Sequence, residues 1–149
     1  MTHWYHKQFS ELLVDELHAI LKLRQDVFII EQQCIYPDID EVDVLATHLF
    51  ARAKVNGPIC AYLRIIAPGI KFDEATIGRV LTHESERGTG LGRALMQQAL
   101  KIMADQYPSQ PIKISAQVYL EDFYKSLNFK TVSKPYDDDG IMHIDMLLS

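Results

Sequence analysis

Long apolar runs are missing from this chain. None approaches the roughly 18 residues that would span a membrane, so no membrane role is expected. The start, Met1-Thr2-His3-Trp4-Tyr5-His6, lacks the basic-then-apolar layout of a secretory signal. Cysteine is scarce: Cys34 and Cys60 are the only two, and they have no metal-ligand spacing. No metal is therefore expected, and a reduced, cytoplasmic setting is. Positive charge is not in excess. The formal net charge is −5 with histidines neutral, which argues against nucleic acid as a partner and permits a cationic substrate. Repeats, low-complexity segments and linkers are absent as well. What is left is 149 residues, 48% of them apolar, the size of a single domain, 1–149, with its own core.

Taken in order, Thr2 to Phe9 reads as an edge strand. Ser10 can cap a helix, and Leu13, Leu17, Ile20, Leu21, Arg24 and Phe28 follow helical spacing, so the pattern predicts a helix from Ser10 to Phe28. Glu31 to Asp43, with Pro37 and the acids Asp38, Asp40, Glu41 and Asp43, reads as a solvated loop. Thr47–Val55 and Ile59–Ile66 read as a hairpin about Asn56-Gly57. Ala75–Thr82 is a further strand. Leu91, Leu95, Ala99, Ile102 and Met103 put one apolar face on the next helix. Ile112–Gln117 reads as a strand and Leu120–Leu127 as a short helix ending at Asn128, which tolerates the left-handed cap. Lys130–Lys134 and Met142–Leu148 are the last strands, joined by a Pro135–Gly140 connector. This order implies an α/β fold with a mixed, mostly antiparallel sheet of about seven strands flanked by helices.

Between the third strand and the second helix lies Glu86-Arg87-Gly88-Thr89-Gly90-Leu91-Gly92-Arg93. The glycines permit close backbone approach. The helix-start amides lack partners, and Arg87 and Arg93 add positive charge. Together they form a nest for a phosphate or pyrophosphate. No lysine follows Gly92, which excludes a P-loop. The glycine spacing also fails the dinucleotide fingerprint. Arg/Gln-x-x-Gly-x-Gly is satisfied by Arg87, Gly90 and Gly92.

With that loop, the element order and a second landmark, Gln117 followed by Phe123-Tyr124-Lys125-Ser126-Leu127-Asn128-Phe129, the chain resembles the GNAT superfamily of N-acetyltransferases over nearly its whole length. Gln117 stands where the family has Asn, Asn128 where it has Gly, and Glu84 where it often has Pro. The segments Leu23–Gln32, Gly78-Arg79-Val80 and Asp139–His143 are similar to the ElaA-like branch. Leu23 to Asp43 also resembles the acyl-homoserine-lactone synthases, a longer group sharing the fold. The resemblance implies splayed strands around a cleft for acetyl-CoA. Arg87, Gly88, Thr89, Gly90, Leu91, Gly92 and Arg93 would hold its pyrophosphate. Val80, Leu81, Thr82 and Gln117 would hold its pantetheine arm. Strand edges that pair between subunits put a homodimer within the expectation.

Acetyl transfer to an amine needs a donor to the carbonyl oxygen, met by a strand N–H at Val80 or Leu81. It also needs an acid for the leaving thiolate and a route for the amine proton. Tyr124 is the expected acid, from its family position; its bland alternative is a packing residue. Glu31, His48 and His143 are the candidate bases, each with a structural alternative, and a water chain is a fourth. Arg24 and Arg79 read as buried ion pairs with Asp40 or Asp43 that shape the acceptor loop, or as holders of a substrate carboxylate. The expected acceptor is an amine on a small molecule or peptide. The competing functions are a non-catalytic CoA-binding module and an acyltransferase for longer chains.

Overall fold

The computed structural model describes Met1–Ser149. Its elements are β1 (His3–Gln8), α1 (Val14–Arg24), β2 (Thr47–Arg52), β3 (Ile59–Ile66), β4 (Thr76–Thr82), α2 (Leu91–Gln106), β5 (Ile112–Gln117), α3 (Glu121–Lys125), β6 (Lys130–Thr131), β7 (Tyr136–Asp138) and β8 (Ile141–Leu148). No helix is long and apolar enough to cross a membrane.

Strands β1 to β4 pair in chain order, each antiparallel to the next. β8 lies between β5 on one side and β6 and β7 on the other, again antiparallel. The two sheets meet at one parallel bridge, Ala75 with Ile112, where Lys113 N donates to Ala75 O at 3.0 Å. Past that bridge β4 and β5 diverge, and a cleft opens between them.

β3 is buried at every position, and its side chains alternate between two cores. Ala61, Leu63 and Ile65 join Leu95, Ala99 and Met103 of α2, whose apolar face recurs at helical spacing. Tyr62 points the other way and packs with Ile20, Leu23 and Phe28. The first sheet is thus covered on both faces. Full burial of a side chain such as Leu95 or Ile20 contributes roughly 2 kcal/mol.

The first helix departs from Ser10–Phe28 at both ends. Phe9–Glu11 is a separate 3-10 turn, and α1 begins at Val14. Its start is fixed not by Ser10 but by Glu16, whose carboxylate accepts Leu13 N at 2.8 Å and Lys7 Nζ at 2.9 Å. The helix runs on past Phe28 because it widens into a π-helical segment, Gln25–Glu31. There Gln32 N reaches back to Val27 O at 3.2 Å. β2 stops at Arg52, short of Val55, just past a bulge where Ala51 pairs with Ala61 and Arg52 with Ile59. The Pro135–Gly140 connector carries β7, joined to β8 through Asp139 and Gly140, whose φ values of 52° and 86° suit a tight hairpin turn. The strands therefore number eight rather than seven.

Glu41 is exposed, as expected of a solvated loop, but Asp38, Asp40 and Asp43 of the same stretch are not free in solvent. Asp38 is 8% exposed and Asp43 4%, while Arg24 and Arg64 are fully buried against them. Arg24 donates Nε to Asp38 Oδ2 at 3.0 Å and Nη1 to Asp43 Oδ1 at 2.7 Å. Arg64 donates Nη1 to Asp40 at 2.6 Å and to Asp43 at 2.8 Å. The expected pairing of Arg24 with Asp43 is present, and Arg64 is a further partner. Three arginines hold this loop against the sheet, the third being Arg79. A buried cation persists only when paired and hydrogen-bonded.

Candidate active site

The cleft encloses about 880 Å³. β4 and β5 form its sides. The glycine loop, the π-helical segment and the β7–β8 turn also line it.

The loop enters through a 3-10 turn, Glu84–Glu86, capped by His83, whose Nδ1 accepts Ser85 N at 3.1 Å. Gly88 and Gly90 have φ of 78° and 87°, a region that L side chains avoid. Gly92 does not: it lies in the first turn of α2, and a Cβ there would meet Thr82 Cγ2 at an ordinary 3.9 Å. Ala94 N donates to Gly90 O at 3.1 Å. The amides of Leu91, Gly92 and Arg93 before it have no intrahelical acceptor and can meet an anion. Thr89 Oγ1 donates to Glu86 O at 2.6 Å, which braces the turn. Arg93 lies over the Phe123 ring and donates to Ser126 Oγ at 2.7 Å. Arg87 is already engaged, both terminal nitrogens lying on Glu31.

On β4 the ladder breaks. Tyr62 pairs with Leu81 and Arg64 with Gly78, so Arg79 and Val80 together oppose Leu63. This is a bulge, and Arg79 carries it with φ of 53°. Such a conformation costs about 1–3 kcal/mol and needs outside support. The Arg79 side chain supplies it. Nη2 donates to Asp38 O at 3.0 Å, Nε lies 2.8 Å from Asp38 Oδ1 as an ion pair, and the guanidinium sits over the Tyr36 ring. Arg79 is thus bound into the acidic loop, and the bulge releases the Val80 region from regular pairing beside the cleft.

Gln117, at the end of β5, donates Nε2 to Gln32 Oε1 at 3.3 Å. Tyr124 lines the cleft and is 5% exposed, edge-on to Phe123 and Phe129. Burial pushes its phenol above the ordinary tyrosine range, so it keeps its proton at neutral pH. Asn128 adopts the left-handed cap (φ 73°) that turns the chain into β6.

The three candidate bases have different surroundings. His48 is 1% exposed and does not line the cleft. Its Nε2 donates to Asp43 O at 2.8 Å, so Nδ1 accepts the Tyr62 hydroxyl at 2.7 Å. Burial lowers its pKa, and both nitrogens are committed to structure. This removes His48 as a base. Glu31 lines the cleft, but the hydrogen bond from Arg87 holds its carboxyl below the ordinary range, which makes it a weak base. His143 also lines the cleft. Its Nδ1 lies 2.7 Å from Ile141 O. A carbonyl only accepts, so Nδ1 carries the proton and Nε2 a lone pair.

The sequence reading missed Arg64, although a lone charge in the apolar run Ile59–Ile66 signals a buried ion pair. It also missed Ser115, Tyr136 and Asp145, which share one sheet face and are joined only by strand register.

The acetyltransferase (GNAT) domain family matches residues 26–149. Protein ElaA of Escherichia coli is 37% identical over 146 residues, covering 98% of this chain and 95% of that one. Its crystal structure superposes with a TM-score of 0.93 at 36% identity, covering all of both chains. An acyl-CoA N-acyltransferase from Pseudomonas aeruginosa superposes at 0.94 with 35% identity, again over both full chains. A CoA-dependent acyl-homoserine lactone synthase shares the fold alone, at TM-score 0.78 and 14% identity over 99% of this chain and 82% of that one. With its divergent strands, glycine loop and full-length relatives, the chain belongs to the GNAT acetyltransferase family, alongside ElaA, and has the fold of acyl-CoA-dependent acyl transfer.

Proposed function

We propose that the protein moves the acetyl group of acetyl-CoA to a primary amine of a small molecule or peptide, by direct attack. The carrying observation is the divergence of β4 from β5 beyond Ala75–Ile112, with the Gly88–Arg93 amides, His143 and Tyr124 in the same cleft. The residues suit the cosubstrate. Gly88 and Gly90 adopt the conformation of an anion-binding turn, and the α2 amides face its ligand. Acetyl-CoA supplies the activated thioester.

The chain's own groups do the rest. The N–H of Val80 or Leu81 faces the carbonyl oxygen and stabilises its developing charge. His143 Nε2 takes the proton that the amine loses as its nitrogen bonds to the acetyl carbon. The Tyr124 hydroxyl gives a proton to the departing sulfur as the carbon–sulfur bond breaks. Holding amine and cosubstrate together supplies much of the acceleration.

A thiol-release assay with acetyl-CoA and a panel of primary amines tests the reading. Turnover is expected. CoA binding without turnover for any amine would replace it with a binding module. A larger thermal shift with octanoyl-CoA than with acetyl-CoA would replace acetyl with a longer acyl group.

A further inference from the structure

Ser115 of β5 and Asp145 of β8 are cross-strand partners on one sheet face. Tyr136 of β7 reaches both: its hydroxyl lies 2.5 Å from Ser115 Oγ and donates to Asp145 Oδ1 at 2.5 Å. A carboxylate has no proton to give, so the tyrosine proton points at Asp145. The tyrosine oxygen then accepts, and the Ser115 hydroxyl must be its donor. Lys113 Nζ forms an ion pair with Asp145 Oδ2 at 3.9 Å. Burial and the Asp145 hydrogen bond push the Tyr136 phenol up to about 12, so the proton that sets this order stays in place.

The polarity of the chain decides what the cleft sees. Ser115 lines it, and its only proton is committed to Tyr136. Toward the cleft it presents lone pairs. His143 lies two residues before Asp145 on the same face of β8 and presents the lone pair of Nε2. Diagonal neighbours of this kind stand about 7 Å apart. The cleft wall therefore carries two acceptors, each with its own proton directed elsewhere.

We propose that Ser115, oriented by Tyr136 and Asp145, anchors the acceptor by accepting one N–H of a primary amine while His143 Nε2 faces the other. The inference rests on reading the cleft as the site of amine acylation. With both N–H bonds held, the lone pair of a neutral primary amine has one direction left, toward the thioester. A secondary amine cannot fill both positions, and a quaternary ammonium can fill neither. Ser115 is a specificity residue, and Tyr136 is a positioning residue acting through it.

The test is an NMR titration of CoA-saturated protein with ethylammonium chloride and, separately, tetramethylammonium chloride at equal ionic strength. Ethylammonium should shift the Ser115, Tyr136 and His143 signals, and tetramethylammonium, which has charge but no N–H, should not. Ser115→Ala should weaken ethylammonium binding about tenfold, the loss of one charge-assisted hydrogen bond. Tyr136→Phe should weaken it about threefold by freeing the serine proton, and Ser115→Thr should restore it. CoA affinity should stay within about twofold throughout, as a check on folding. Equal binding of both cations, or an unchanged Ser115→Ala, would overturn the anchor. Thiol release run in parallel separates the two ideas. Ser115-dependent ethylammonium binding without turnover would overturn acetyl transfer and leave the anchor. Turnover with an unchanged amine KM in Ser115→Ala would overturn the anchor and leave acetyl transfer.

Discussion

The Arg87 guanidinium grips the Glu31 carboxylate with both terminal nitrogens, at 2.6 and 2.9 Å, across 56 residues of sequence. The pair ties the end of the π-helical segment to the loop expected to receive the pyrophosphate. Next in sequence, Gln32 takes a hydrogen bond from Gln117, the residue expected on the pantetheine arm. Two consecutive side chains therefore occupy two groups that the cosubstrate would use.

Glu31→Gln should free Arg87. Both partners are about two-fifths exposed, and an exposed pair contributes up to roughly 1 kcal/mol. The variant should bind CoA about two- to fivefold more tightly, read by calorimetry. It should keep the wild-type acid limb of the pH–rate profile, because a carboxylate held low by Arg87 is not the base.

His143 and His48 should separate cleanly. His143→Ala should lower kcat about 100-fold or more in steady-state kinetics. His48→Ala should leave kcat near wild type and lower the urea midpoint. His48 has its pKa lowered by burial, so the unfolded chain binds more protons. Its contribution to stability is present above the unfolded value of about 6.5 and is lost as pH falls below it.

Tyr124→Phe should lower kcat about tenfold or more while CoA affinity holds. The comparison is steady-state kinetics against a CoA titration, with chemistry as the slow step. A kcat equal to wild type would return Tyr124 to a packing role.

Arg24→Met should destabilise by about 3–5 kcal/mol, since it takes a fully buried cation from both Asp38 and Asp43 and leaves them only Arg79 and Arg64. Burial raises the pKa of Asp40 and Asp43, and the hydrogen bonds from Arg64 and Arg24 outweigh it, so both end below their ordinary value. The sign follows. Their contribution is complete above the unfolded value of about 3.9 and disappears as pH drops through the lower native values. Urea melts at pH 7, 5, 4 and 3 should show the wild type losing stability mainly below pH 4. Arg24→Met should lose less over that window.

Gly90→Ala should weaken CoA binding and cost about 1–2 kcal/mol, the penalty for an L side chain at φ of 87°. Gly92→Ala should be tolerated, because its Cβ would sit 3.9 Å from Thr82.

What the chain discloses unaided follows the range of the forces involved. α2 is legible because Leu91, Leu95, Ala99 and Met103 repeat within one helix. The loop is legible because Gly88 and Gly90 mark their own backbone conformation. Arg24 on an apolar helix face announces its need for an acid such as Asp43, but its bond to Asp38 and that of Arg64 to Asp43 join residues 14 and 21 apart in sequence, beyond any local pattern. The Ser115–Tyr136–Asp145 chain is invisible for the same reason: it needs β7 and β8 paired and β5 in register. The π-helical widening at Gln25–Glu31 left no mark in the apolar spacing, since Val27 and Phe28 suit an α-helical core equally well.

The single bridge at Ala75–Ile112 has a mechanical consequence. The two sheets share one backbone rung at the root of the cleft and none along its length, so they are joined there like the legs of a compass. An extended ligand lying between β4 and β5 would act as a substitute strand, supplying the rungs the protein omits. Such a ligand should stiffen the molecule as a whole and raise its melting temperature with the logarithm of ligand concentration.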